Sequence, residues 1–267
     1  MPVFKTSALN HSATSPCFYF INFGAGLSAF LPGRWRCASV QIAIIQKEVF
    51  MKTENRPKVV YRFGEGVYLN ITNRCPNLCA FCIKTKWHMD FHGNNLNLQG
   101  REPSASEVVA ALDEELKKAP FKEVVFCGYG EPTMRLDVLL FVAQTLKGWM
   151  AQAKYPPFKI RLNTNGLGNL INHKDTVPEL RRVVDVVNVS LNAENETVWR
   201  RIVRPEEGYE NGYEAVRAFI RSCVAAGFDK VVASCVDQTG ADPKAVQKIA
   251  EADGAQFYLR SFLDAQN

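Results

Sequence analysis

An α/β fold built around a parallel sheet is the architecture this sequence predicts, and three observations predict it. Short runs rich in β-branched and aromatic residues alternate with amphipathic stretches from Met51 almost to the C-terminus. The runs have the length of strands and the stretches the length of helices. Strand–helix alternation of this kind implies parallel pairing with right-handed crossovers.

The elements follow in order. Residues 66–72, with Val67, Tyr68, Leu69 and Ile71, read as the first strand. Ser104 and Ser106 are candidate N-caps for an amphipathic helix over 108–116. A short buried strand is expected over 123–127 and a helix over 136–150. Residues 159–163 form a third strand, a helix contains 177–181, and 183–190 form the fourth strand. A helix over 213–226, a strand over 230–235, a helix over 243–252 and a sixth strand over 256–260 complete the series. Sheets of this class carry their chemistry on the loops after the C-terminal ends of the strands.

With 267 residues, 47% of them hydrophobic, the chain suits one well-buried globular domain. Its net charge of +5 is unevenly placed: Lys5, Arg34, Arg36 and Lys47 stand in the first 50 residues against one acid, Glu48. Beyond them no dense Lys/Arg run appears, so a nucleic-acid-binding face is not indicated. The apolar run 17–31 is shorter than the ~20 residues of a spanning helix, so no membrane span is expected. Residues 1–50 show no periodicity. They read best as sequence upstream of a true start at Met51, ahead of a targeting peptide or an ordered extension.

Three of the 8 cysteines, Cys75, Cys79 and Cys82, crowd into eight residues directly after the first strand. The others are Cys17, Cys37, Cys127, Cys223 and Cys235. Crowding in a mid-sized chain points to metal or cluster ligands in a reducing, cytoplasmic setting rather than to a disulfide scaffold. Three thiolates can hold three irons of a 4Fe-4S cube and leave the fourth iron open. A zinc site of the three cysteines with His88 or His92 is the alternative, and incidental cysteines are the dullest one.

Beyond spacing, residues 68–82, 124–133, 161–166 and 188–192 together resemble the radical S-adenosylmethionine (SAM) superfamily, and closely its TatD-associated branch. The resemblance covers about residues 60–262 and implies a partial TIM barrel of about six βα units. It divides the chain into an N-terminal extension (1–58), disordered or preceding the true start, and a radical SAM domain (59–267). It implies that Cys75, Cys79 and Cys82 hold a 4Fe-4S cluster whose open iron chelates the amino and carboxylate groups of SAM. Reductive cleavage then gives a 5′-deoxyadenosyl radical that abstracts hydrogen from a substrate not legible here.

Residue by residue, Phe81 would flank the adenine. Gly128 and Gly130 would let backbone carbonyls approach the SAM ammonium, and Glu131 would hold a positive charge. Asn163 and Asn165 would point inward from the third strand, and Ser190 and Asn192 from the fourth, toward polar groups of SAM. For these four, a satisfied polar core is an equal reading. Arg204 reads as a solvated helix-end charge rather than a carboxylate ligand, and His88 and His92 as surface residues. Cys127 precedes the SAM-binding turn, whereas Cys223 and Cys235 read as small hydrophobes.

An electron donor such as flavodoxin or ferredoxin is implied, with a TatD-type hydrolase as a partner by genomic association. The absence of a second cysteine cluster disfavours maturases with auxiliary clusters. The functional alternatives are a glycyl-radical-enzyme activase, a deazapurine-type small-molecule synthase, and, from another class, a non-catalytic zinc-binding interaction module.

Overall fold

A computed structural model describes residues 56–262, which fall in the second of two units, Met1–Val49 and Phe50–Asn267. The expectations for residues 1–50, including the start at Met51, lie outside the described residues.

The chain opens with a hairpin, β1 (Val60–Phe63) and β2 (Gly66–Leu69), paired antiparallel. Gly64 at φ 56° supplies the left-handed turn residue that a two-residue hairpin loop requires. Next come α1 (Ile83–Lys86), a small ribbon of β3 (Asp90–Phe91) and β4 (Asn94–Asn95), and α2 (Ala105–Leu116). Then follow β5 (Glu123–Phe126), a 3₁₀ turn (Pro132–Arg135), α3 (Leu136–Ala151), β6 (Lys159–Thr164), α4 (Gly168–Asn172) and α5 (Val177–Arg181). The chain continues through β7 (Val186–Ser190), α6 (Glu196–Val203), α7 (Gly212–Ala225), β8 (Lys230–Val236), α8 (Pro243–Ala252) and β9 (Gln256–Arg260).

The main sheet runs β1-β2-β5-β6-β7-β8-β9, and every pair after the first is parallel. Each parallel strand therefore lies beside its predecessor in sequence. Right-handed crossovers in that order put every connecting helix on the same side of the sheet and leave the other face free to curve inward. A mostly parallel α/β sheet of six βα-type strands is the partial-barrel architecture expected; β1 and β9 do not pair with each other, so it stays open.

Side chains obey that division. Toward the helices point Val67, Leu69, Val124, Phe126, Ile160, Leu162, Val187, Val189, Val231 and Ala233, all buried in one core cluster. That cluster also takes Cys223 and Cys235, which behave as small hydrophobes. Burying each large aliphatic side chain contributes about 1.5–3 kcal/mol. The intervening positions, Tyr68, Arg161, Asn163, Asn188, Ser190 and Ser234, share the concave face, most of them half-buried. The strands thus alternate apolar toward the helices with polar toward the interior, which is what a barrel holding a polar ligand requires.

The segment after the cysteines carries α1 and the β3–β4 ribbon. His88, Met89 and His92 take positive φ there, a conformation that a packed environment must impose. Phe63, Tyr68, Trp87, Phe91 and His92 form the ring contacts that impose it, His92 stacking on Phe63 at 5.3 Å. Among the described residues no helix is long and apolar enough to cross a membrane.

Candidate active site at the strand C-termini

Three cysteines leave β2 on a loop that is anchored at both ends. On entry, Asn70 is fully buried and donates through Nδ2 to the Leu96 carbonyl at 2.9 Å. Thr72 and Arg74 both hold Glu102, and the Thr72 hydroxyl accepts the Arg74 N–H. Inside the loop, Leu78 N donates to the Arg204 carbonyl (3.0 Å) and Ala80 N to Ile202 (2.8 Å), while Glu206 N donates back to Pro76 (2.8 Å). The end of α6 is therefore the floor on which the cysteine loop lies. Arg204 enters through its carbonyl; its side chain is exposed, as expected of a solvated charge.

All three thiols are free and half-buried. Burial pushes the Cys75 thiol up to about 12, with the Glu131 carboxyl adding to it. Cys79 is pushed up further by burial, then by its neighbours Cys75 and Cys82, while Arg260 opposes. Such thiols stay protonated until a bound cation offsets the cost of charging them, and iron coordination supplies that offset. Asn165 Nδ2 lies 3.9 Å from Cys75 Sγ, within reach of an N–H···S bond. Among the described residues no three His, Cys, Asp or Glu side chains converge on a single ion. Three thiols without a fourth side-chain ligand match a cube that keeps one iron open. His92, held in its aromatic stack, and exposed His88 do not complete a zinc set. The donor set fits the cluster.

The turn after β5 interlocks with the cysteine loop. A Cβ on Gly128 would sit 2.3 Å from Asn70 Oδ1, and one on Gly130 would sit 2.3 Å from the Thr72 carbonyl oxygen and 2.7 Å from that of Arg74. The space the glycines leave is filled by the chain leaving β2, so these residues let two strand exits pack closely. Glu131, expected to hold a positive charge, is buried. Its Oε1 accepts from Thr133 N (3.0 Å), Thr133 Oγ1 (2.7 Å) and Thr164 Oγ1 (2.8 Å), and its Oε2 from Asn165 N (2.7 Å). Burial pushes its carboxyl up, and the Asn165 and Thr133 donors oppose that shift. The carboxylate ties the exits of β5 and β6 together.

The remaining expected contacts divide. Phe81 is half-buried and packs against the main core. Asn163 points inward, where its Oδ1 accepts from Arg161 Nη1 at 3.0 Å. Asn165 lies just past β6, bonded to Leu167 N (2.8 Å) and near Cys75. Ser190 ends β7, but Asn192 lies beyond the strand at φ 66°, correcting its expected place in the alternation. Both nevertheless meet one guanidinium: Arg260 Nη2 donates to Ser190 Oγ at 3.2 Å and to Asn192 Oδ1 at 3.1 Å.

Two residues on this face were not singled out from sequence. Asn188 leaves Oδ1 buried without a partner, and Arg260 does the same with Nε. Asn188 was within reach of sequence reasoning, since it stands two residues before Ser190. For Arg260 only its place at a strand end gave a signal. An orphaned acceptor and an orphaned donor on one concave face fit a polar ligand in the interior.

Comparison with solved structures finds the same fold in HydG, a maturase of the FeFe-hydrogenase, at TM-score 0.51 and 16% identity; the match covers 76% of this chain and 43% of that one. TYW1 with a lysine-pyruvate adduct bound matches at TM-score 0.48 and 13% identity, covering 76% and 67%. At these identities the likeness is one of fold, and the chain spans less than half the length of HydG. No curated protein matches by sequence. The Radical SAM superfamily model, whose members are enzymes that use a 4Fe-4S cluster and SAM, matches residues 69–252. That match spans more than half of the chain and takes in the cysteine loop, the β5 turn and the polar concave face: the chain belongs to the radical SAM superfamily.

Proposed function

We propose that Cys75, Cys79 and Cys82 hold the 4Fe-4S cluster and that the concave face behind them is the chamber in which hydrogen is abstracted from substrate. The observation that carries this reading is the position of three free thiols at the exit of the first parallel strand, beside an interior of polar side chains. When bound, the cluster and SAM supply the reductive cleavage that yields the 5′-deoxyadenosyl radical. The chain's own residues position and shield. Asn165 offers its amide to Cys75 Sγ, and the α6 floor fixes the loop that carries the thiols. Phe81 stands between the second and third cysteines, beside the expected adenine site. Ser190 and Asn192 present oxygens to the interior, held by Arg260. The helix-side core excludes water from behind the sheet.

The stretches that resemble the TatD-associated branch support assignment to it, and with it a TatD-type hydrolase as partner. A flavodoxin or ferredoxin as electron donor and a cytoplasmic setting suit a cluster held by reduced thiols. Residues 59–267 form the catalytic domain in this reading, and 1–58 an extension.

Anaerobic reconstitution tests the assignment. About four irons and four sulfides per chain, with 5′-deoxyadenosine released under reductant, are expected, and replacing all three cysteines by alanine abolishes both. Stoichiometric zinc without SAM cleavage, or cleavage retained in the triple variant, overturns it. Metabolite profiles with and without the gene then identify the substrate.

A further inference from the structure

Among the described residues, nothing on the concave face answers the charge of Arg260. Its Nη2 bonds two neutral oxygens, Ser190 Oγ and Asn192 Oδ1, and its Nε is buried without a partner. The other sheltered arginines each face a carboxylate: Arg62 with Glu115, Arg135 with Glu102, Arg161 with Glu123 and Arg217 with Asp253. Arg260 has no ion pair among the described residues. Among the acids along the sheet, Glu123 is engaged by Arg161 at 2.9 Å and Glu131 by four donors, while Asp237, beside Arg260, accepts from Gln238 N at 2.8 Å. A guanidinium does not release its proton, so shelter without a counter-charge is a standing cost until an anion arrives. It is also the side chain whose planar fork best matches an oxyanion.

We propose that Arg260 is the anchor for an oxyanion, a carboxylate or a phosphate, carried by the substrate, with Asn188 Oδ1 accepting from a donor elsewhere on the same molecule. This inference rests on the concave face being the reaction chamber. Register places the two groups on one wall: Asn188 aligns with Val232 on β8, and Arg260 aligns with Val236, four residues further along that strand. The ligand thereby lies along the strand axis, its anionic end at the mouth beside the cysteine loop and its hydrogen-bond donor deeper in. SAM carries a carboxylate of its own, and the test separates the two sources.

The full chain is reconstituted anaerobically and saturated with SAM, so that SAM's carboxylate is already placed. Inorganic phosphate, and in a second series acetate, is titrated at constant ionic strength while the thermal midpoint is followed. A saturable rise is expected with at least one anion. In Arg260→Gln its apparent dissociation constant weakens about tenfold or more, as the loss of one charge-assisted hydrogen bond implies. Arg260→Lys, which keeps the charge and loses the fork, gives an intermediate value and serves if the glutamine variant does not fold. SAM affinity, measured separately, falls by a clearly smaller factor, since Arg260 reaches SAM only through Ser190 and Asn192. An equal anion response in both variants and wild type overturns the proposal. So does SAM affinity that falls in parallel, which assigns Arg260 to SAM, or a shifted cluster potential with an unchanged anion response, which assigns it to the cluster. Wild type that binds no SAM sinks the reading of the chamber; wild type that binds SAM and ignores both anions sinks this inference alone.

Discussion

Glu131 Oε2 accepts the backbone N–H of Asn165 at 2.7 Å, so the exit of β5 is held to the exit of β6 by one buried carboxylate. Every neighbour of that carboxylate within hydrogen-bond distance is a donor. Glu131→Gln keeps the shape but brings an NH₂ against one of those donors. Leaving a buried donor unmatched costs about 1–3 kcal/mol. The expected outcome is a lower unfolding midpoint in urea even without cluster or SAM. An ammonium ligand would behave otherwise: the glutamine variant would keep its stability and lose only SAM affinity.

Gly130 lies at the same joint. Its missing Cβ would stand 2.3 Å and 2.7 Å from the carbonyl oxygens of Thr72 and Arg74, backbone atoms of the strand that leads into Cys75. Gly130→Ala must move that strand. Overpacking of this kind costs about 1–3 kcal/mol, and iron bound per chain should fall with the thermal midpoint. A variant that loses stability but keeps full iron content would separate the joint from the cysteine loop.

Much of this was legible from residue order. Alternating β-branched strands and amphipathic helices specify parallel crossovers through local periodicity alone, and Ser104 caps its helix as its spacing to Glu107 allows. The cysteine loop was legible because its ligands are neighbours in sequence. What was not legible depends on side chains meeting across the sheet. The β1 strand holds only four residues and is fixed by a Gly64 turn. The aromatic packing that shapes residues 87–92 joins Phe63 to Phe91 and His92. Glu131 read as a ligand because its type suggests one, whereas two of its four donors come from residues 164 and 165, which no spacing rule links to it. Arg260 stands 70 residues from Ser190, and no spacing rule links them.

Asn165 tests the polar shell of the thiols. Its Nδ2 lies 3.9 Å from Cys75 Sγ while its Oδ1 accepts from Leu167 N. Asn165→Asp preserves the second bond and replaces the first with a negative oxygen. Hydrogen bonds to cluster sulfurs raise the reduction potential. The lost bond, to a charged acceptor, is worth at least about 1.5 kcal/mol, and the new negative charge acts in the same direction, so the one-electron midpoint should fall by about 60 mV or more. Redox titration followed by electron paramagnetic resonance reads the shift, and an unchanged potential would remove Asn165 from the cluster's surroundings.

Asp253 sets an acid limit on the fold away from the site. It caps α8 and clamps α7, bonding Arg217 Nε (2.8 Å) and Nη2 (2.9 Å) and Arg221 Nη1 (3.2 Å). Burial pushes its carboxyl up, but the Arg217 and Arg221 guanidiniums outweigh that and hold it below the usual range. A carboxyl depressed in the folded state adds stability that is complete above its unfolded value, about 3.9, and is lost as pH falls through its folded value. Asp253→Asn should therefore cost about 1.5–3 kcal/mol near neutrality, the worth of hydrogen bonds to a charged group. The cost should shrink as pH drops below about 4, where the wild type loses the same contribution. Urea unfolding across pH 2.5–7 would show the two curves converging at the acid end, and parallel curves would remove Asp253 from the acid transition.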